Sequence, residues 1–294
     1  MNRYATLDQA KTEARMKDGF EGADDNALAY LNRALYFVSA RIDQETNYTF
    51  WPDIRTEYYD AKGPHIIDAR LMELTKMPFL SITSLTNGLG ETLVAGADYY
   101  PWPLGSQPIT ALRLIAGTGR TWAQYNDDWR DAIAVTGIAG YHERYSEAWI
   151  ASGDSVQDDP QISSTETYIT VTDVDAADAY GWTPRFSPGN LIRLGAEFCE
   201  VLEANVSTDT LTVRRGVNGS TAAAHAKDTA IDVFQVEPNI QRAALRWVGY
   251  LLQRRGAYEQ TSFDGIATVT FPPDAPGEVK AILDQYRKVR WSVI

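Results

Sequence analysis

One cysteine, Cys199, and three histidines, His65, His142 and His225, are all that a chain of 294 residues carries of the side chains most used for metal binding and nucleophilic catalysis. A single cysteine excludes an intramolecular disulfide and any cysteine-built metal site within one chain. The histidines are far apart and share no working spacing: HExxH, G-x-S-x-G and a Cys/His pair at ligand distance are all missing. Long apolar runs are missing too, since none approaches the roughly 18 residues that span a bilayer. Met1 to Asp18 is polar and charged, unlike a signal peptide. Positive charge is scarce: 27 Lys and Arg stand against 39 Asp and Glu, a net charge of −12. Such a chain is repelled by nucleic-acid phosphates as a whole. Membrane spanning, the usual secretory route and a tight grip on DNA are therefore unexpected, and assembly in the cytosol fits best.

What is abundant is aromatic. Eight Trp and 16 Tyr cluster at Tyr48, Phe50 and Trp51, at Tyr99, Tyr100 and Trp102, and at Trp122, Tyr125 and Trp129. These residue types fill cores and also anchor subunit interfaces, and stacking on carbohydrate is a third use; the sequence does not divide them.

Helical signals sit at the two ends. "TLDQAKTEARM" offers Thr6 as a cap with Gln9 three residues on, a capping box. After "EGADD", Leu28, Leu31, Leu35, Val38 and Ile42 form one apolar stripe at spacings of three and four, with Asp24 or Asp25 placed to cap it and an end expected near Asn47. Helical spacing returns at "PNIQRAALRWVGYLLQRRG", with Pro238 at a first helical position and Gly256 at the end. It returns again at "PGEVKAILDQYRKVRW", where Val279, Ile282, Leu283 and Tyr286 share a face. Between them the texture is β: "TEYYDA", "HIIDA", "LSITSLTNGLGETLV" with Asn87-Gly88 as a hairpin signal, "DYYPWP", "ITALRLI" and "DAIAVTGIAGY". A polar stretch, "SGDSVQDDPQISST", reads as loop. Then come "TYITVTDV", "NLIRLGAEFCEVLEA", "DTLTVRRG" and "TAIDVF", all β in composition.

The expected fold is α+β: a helical-bundle core with a β-hairpin region and an inserted small all-β domain. The expected division is a first part of the core over 1–146, the inserted domain over 147–236, expected to fold by itself, and a second part of the core over 237–294. "GVNGST" holds two glycines and a hydroxyl but lacks the lysine of a phosphate loop, so it reads as a turn rather than an anion site. Asp173, Asp175 and Asp178 lack the glycine and glutamate of a calcium loop and read as solvated carboxylates. No catalytic residue, metal ligand or cofactor site is expected, and the chain is not expected to be an enzyme.

Two sets of motifs carry a resemblance. "SPGNLIRLGAEFCEVLEANVSTDTLTVRRGVNGSTAAAHAKDTAIDVF" resembles a small β module found repeatedly in phage virion proteins, which implies that Arg215, Gly216, Gly219 and His225 hold a structural turn. The stripe "DDNALAYLNRALYFVSARIDQETNYTFWP", the segment "MPFLSITSLTN", the strand "AIAVTGIAGY" and the two closing helices, in that order, resemble the head-to-tail connector (adaptor, or head-completion) proteins of long-tailed bacteriophages. Such adaptors run from the "AGY" strand to the long helix directly, whereas about ninety residues intervene here. The resemblance implies a virion protein of the neck, assembled in the host cytoplasm. It would form a homo-oligomeric ring, twelve-fold in the family, between the portal protein and a tail or stopper protein. It would also pass double-stranded DNA without binding it specifically. It further implies that the C-terminal end meets the portal, making Lys280, Tyr286, Arg287, Lys288, Arg290 and Trp291 interface candidates, although cations there also suit the helix's own dipole. The negative charge makes an acidic lumen the expectation, with Glu91 and Asp98 as channel-lining candidates, against the plainer reading of charge carried for solubility. The alternative function is a host-surface, carbohydrate-binding or decoration protein that uses the inserted β domain.

Overall fold

In a computed structural model the described residues are 3–13, 25–259 and 275–287. Among them the α-helices are α1 (Leu7–Glu13), α2 (Asp25–Thr46), α3 (Pro238–Glu259) and α4 (Gly277–Tyr286). The strands are β1 (Asp53–Tyr59), β2 (Leu71–Glu73), β3 (Phe79–Thr86), β4 (Thr92–Leu93), β5 (Tyr99–Trp102), β6 (Ala111–Leu114) and β7 (Ile133–Ala139). They continue with β8 (Trp149–Ser155), β9 (Gln161–Ile162), β10 (Tyr168–Thr170), β11 (Leu191–Leu194), β12 (Glu197–Asn205), β13 (Thr210–Arg214), β14 (His225–Ala226) and β15 (Ala230–Phe234). The described residues divide into two compact units: those up to Asn47 with Trp149–Val217 and those from Thr221 on, and Tyr48–Ala148 with Asn218–Ser220.

The expected helical-bundle core is not what forms. The chain is mostly β, with strands in four sheets, and the helices are the smaller part. The physical reason is that each β region buries an apolar cluster of its own and needs no helical core to hide in.

In the first unit an antiparallel sheet runs β10-β13-β12-β11-β15-β8. Alternating residues of its strands, among them Leu211, Val213, Ile192, Leu194, Ile231 and Val233, fill one cluster with Val156 and Phe186. Both faces of β12 are covered at Glu197–Val201: Cys199 and Val201 belong to the cluster, while Phe198 stacks on Trp149 on the other side. Tyr36 of α2 donates to Glu200 of β12 (3.2 Å), so a helix meets the sheet there. Helices form at all four expected places, but α3 runs through Gly256 to Glu259 and α4 ends at Tyr286, with Arg287 already extended, so the expected helix to Trp291 is not formed. Thr6 and Gln9 exchange reciprocal bonds, Thr6 N–H to Gln9 Oε1 (2.9 Å) and Gln9 N–H to Thr6 Oγ1 (3.2 Å), satisfying two donors that a helix start leaves open. Leu31, Leu35, Val38 and Ile42 are fully buried, and α2 stops where Asn47 turns left-handed at φ 58. α2 packs on α3 and α4, and α1 on α2 and α3. Val279, Leu283 and Tyr286 of α4 and Ile240, Ala244 and Trp247 of α3 are buried.

The second unit holds two sheets, β1-β7-β3-β4 and β2-β6-β5, closed over Tyr59, Met72, Phe79, Leu85, Leu112 and Val135. β7 alternates strictly between buried and half-buried, the period-two pattern of "AIAVTGIA". Where β3 shifts register against it, a side chain on Gly137 would lie 2.1 Å from the Ser81 carbonyl oxygen, so only glycine fits.

Two expectations fail locally. "HIIDA" makes only an isolated bridge at Ile66, because Asp68 accepts from the Arg70 and Leu71 amides (2.7 and 2.8 Å) and turns the chain. "SGDSVQDDPQISST", expected as loop, supplies most of β8 and all of β9.

Candidate functional site

The densest polar centre among the described side chains is Glu197. Its place follows from local rules: β11 and β12 pair Leu194 with Glu197, leaving Gly195 and Ala196 as a two-residue turn in which Gly195 has φ 58. Glu197 is thus the first residue of β12, and its carboxylate is 1% exposed. Arg215, just past β13 and itself 6% exposed, meets it as a fork, Nε to Oε1 (2.7 Å) and Nη2 to Oε2 (2.8 Å). The Gly216 and Ala223 amides each donate to it at 3.0 Å. His225 Nε2 lies 2.8 Å from Oε2; the carboxylate only accepts, so that nitrogen carries the hydrogen. The Cys199 thiol adds a contact at 3.3 Å.

Arg215 gives its remaining donors to the carbonyls of Ser163 (3.0 Å), Glu166 (2.9 Å) and Ala223 (2.6 Å), using all five of its N–H groups. Burial alone would raise the Glu197 pKa, but the bonds from Arg215, Ala223 and His225 outweigh it and hold the carboxyl at about 2. It is therefore ionised throughout the physiological range, with no proton to give and no lone pair turned toward a substrate. Burial first, then the Glu197 charge, pushes the Cys199 thiol far up, away from the thiolate that nucleophilic chemistry needs. The cluster ties four backbone segments together and is chemically closed.

A second buried pair lies in the same unit. Asp154 of β8, fully buried, accepts from the Ser155, Thr172 and Asp173 amides (2.7, 2.9 and 3.1 Å) and from Arg185 Nη1 (3.1 Å). Asp43 of α2 differs in sign: burial pushes its carboxyl up to about 7 although the Tyr4 hydroxyl donates to it.

The residues singled out from sequence fall as follows. Arg215, Gly216 and His225 converge on Glu197. Gly219 stands apart from them, in the second unit, where Ile54 N–H donates to the Asn218 carbonyl (2.9 Å) and Asn218 Nδ2 to the Pro52 carbonyl (3.0 Å). Glu91 and Asp98 are brought together by Arg120, at 2.8 and 2.9 Å. The Val94 amide and Arg120 keep the Asp98 carboxyl below its usual range. Tyr286 is buried and accepts from Asn239 (3.1 Å). Lys280 is exposed, and Arg287 pairs with Glu45 (3.3 Å) and Asp284 (3.5 Å). Lys288, Arg290 and Trp291 lie outside the described residues. His65 Nε2 is bonded to the Asp60 carbonyl (2.7 Å), and His142 Nδ1 accepts from the Arg144 amide (3.0 Å). Asp173 and Asp178 accept backbone amides of their own turns.

Among the described residues, no group of three or more His, Cys, Asp or Glu is placed to hold a metal ion, and no helix is long and apolar enough to cross a membrane. An open groove of about 530 Å³ in the second unit is lined by Leu80, Pro103, Gln107, Arg144 and Glu147 among others. Its amide is already engaged, Gln107 donating to Leu80 (2.9 Å) and accepting from Ser146 (3.2 Å).

Sequence reasoning missed Glu197 and Asp154. β12 carries two further glutamates, Glu200 and Glu203, so only the place of Glu197 directly after the Gly195 turn could have singled out the first; no local signal marked the second. Compared with protein-family models, curated proteins and solved structures, the chain finds no match.

Proposed function

We propose that this chain is a structural virion protein of a long-tailed bacteriophage, a subunit of a neck ring that joins portal to tail and lets the genome through. The observation that carries the reading is the meeting of the chain's ends. α2 packs on α3 and α4 although everything from Thr46 to Pro238 separates them, so the helical motifs that carry the resemblance to connector proteins lie together. The buried ionisable groups support the same reading from the chemical side, because Glu197, Arg215 and Asp154 spend their bonds on neighbouring buried side chains and on backbone. Portal and a tail or stopper protein are the proposed neighbours, with Lys280 and Arg287 of the α4 end as the described part of the portal contact. DNA passes without being held: a net charge of −12 per chain, repeated around a ring, repels it within about 8 Å at physiological ionic strength. Arg120 cancels part of the charge of Glu91 and Asp98, so Glu91, the more exposed of the two, is the better lumen candidate.

Particles assembled without this chain are expected to accumulate as separate DNA-packaged heads and free tails. Joined, infectious particles in its absence would overturn the reading.

A second reading, recognition of a host-surface carbohydrate by the β region, is favoured by one observation. Tyr180 and Trp182 are 70% and 72% exposed on a loop closed by bonds from the Tyr180 and Trp182 amides to Asp178 (both 2.9 Å). Trp182→Ala abolishes adsorption to host cells under this reading and leaves it intact under the first.

A further inference from the structure

Four polar side chains of α2, Asn32, Tyr36, Ser39 and Asp43, follow one another at spacings of four, three and four and so share one face of the helix. Two residues of the segment before α1 take all four. Arg3 Nη1 donates to Asn32 Oδ1, and its guanidinium lies over the Tyr36 ring, 5.0 Å from the centroid. The Tyr4 amide donates to Ser39 Oγ (2.9 Å), which gives its own hydrogen to the Leu35 carbonyl (2.8 Å), and the Tyr4 hydroxyl donates to Asp43 Oδ1. A Cβ on Gly189 would lie 2.8 Å from Arg3 Nε, so backbone closes on the guanidinium as well. Arg3, Tyr4, Ala5 and Thr6 are all buried: the segment is a strap seated in a slot.

The slot leaves two ionisable groups without an opposite charge. Arg3 makes no ion pair among the described residues, and its buried Nε finds no acceptor; Glu200, which meets the Tyr36 hydroxyl, is held by Arg214 instead (3.1 Å). Asp43 has only the neutral Tyr4 hydroxyl. The charged groups of the surrounding elements are turned to one another: Arg41 to Glu45 on α2 (3.1 Å), Lys11 to Asp8 on α1 (3.1 Å), Arg242 and Arg246 of α3 to Glu278 of α4 (3.2 and 3.9 Å), and Arg287 to Glu45 and Asp284 (3.3 and 3.5 Å). Neither these nor Glu237 at the head of α3 nor Lys280 of α4 acts on Asp43, whose proton affinity is set by burial and the Tyr4 bond alone. A charge taken out of water without a counter-charge costs stability, and the Tyr36 ring offsets only part of that at Arg3. Good shape and poor charge matching thus meet in one short segment.

We propose that this strap is a pH-set latch: residues 3–6 hold to α2 in mildly acidic solution and lift from it, ahead of the rest of the fold, as pH rises to neutral. Lifting returns both charges to water, while α2 keeps its packing on α3 and α4. With the strap seated, burial keeps the Asp43 proton up to about 7; with it lifted, the carboxyl meets water and returns toward the ordinary 3.8. The seated form therefore binds the extra proton, so the hold is whole below pH 3.8 and weakens as pH rises from there to 7. The latch is independent of the ring reading.

Amide hydrogen exchange on the full chain tests this, with protection taken relative to the unstructured rate. The Tyr4 amide reads the latch, and the Val201 amide, bonded to the Asn190 carbonyl (2.9 Å), reads the sheet of the same unit. From about pH 4 to about pH 7.5 Tyr4 is expected to lose protection by ~100-fold while staying less protected than Val201 throughout. Asp43→Asn, which still accepts from the Tyr4 hydroxyl and carries no charge, should hold the Tyr4 protection level over that span. A parent chain whose Tyr4 protection is flat with pH would overturn the latch, as would an Asp43→Asn chain with the parent's slope. Tyr4 and Val201 exchanging at one rate would overturn it too, since the strap would then leave only when the unit unfolds.

Discussion

Replacing Glu197 by glutamine is expected to destabilise the sheet of the first unit by about 3–5 kcal/mol, because it strands the buried Arg215 guanidinium without its counter-charge. The double change Glu197→Gln with Arg215→Met should recover much of that loss, since removing both partners of a buried pair costs far less than removing one. The same cluster sets an acid limb. A carboxyl held at about 2 when folded, against an ordinary 4.5, contributes stability that is complete above pH 4.5 and is lost as pH falls toward 2. That contribution is on the order of 3 kcal/mol. Asp43 works in the opposite sense: its folded value of about 7 exceeds the ordinary 3.8, so the stability it contributes is whole below pH 3.8 and is lost as pH rises from there to 7. Stability against denaturant should therefore peak at about pH 4. A flat profile between pH 3 and 7, or a Glu197→Gln chain as stable as the parent, would show that the cluster holds nothing.

Gly219→Ala is the second large effect. At φ +72 an alanine is strained, and its Cβ would sit 2.0 Å from the Ile54 carbonyl oxygen, so backbone must move. Strain and overlap each cost roughly 1–3 kcal/mol, about 3 kcal/mol together, with the Ile54 amide losing its bond to Asn218 and exchanging faster with solvent. Gly90 supplies the control: it has φ +73 and nothing within 4 Å of an added Cβ, so Gly90→Ala carries the strain alone. Equal losses at the two sites would remove the close approach at Ile54 from the account.

The helices were legible because their signals are local: the Thr6–Gln9 box, the Leu31 to Ile42 stripe and the proline opening α3 all lie within a few turns. Their rank in the fold was not legible, since nothing in a strand's own sequence tells whether its sheet carries a core or decorates one. β8 shows the second limit. Ser152 and Asp154 face inward, Ser152 Oγ donating to the Ile231 carbonyl (2.7 Å), and a strand with satisfied polar residues inside reads as loop until its partners are known. At the Glu197 centre, Arg215, Gly216 and His225 could be marked by their motif, but the carboxylate that gathers them stands eighteen residues upstream of Arg215. The aromatic clusters divided in a way composition could not foresee: Phe50 and Trp51 are buried while Trp102 and Trp129 are half out.

Imaging the neck of intact particles decides between the proposed ring subunit joining portal to tail and any other place in the virion. Averaged images with this chain labelled should place it in a single symmetric annulus directly beneath the portal, around the DNA path. Label along the tail shaft, at the fibres or on the head surface would contradict the account.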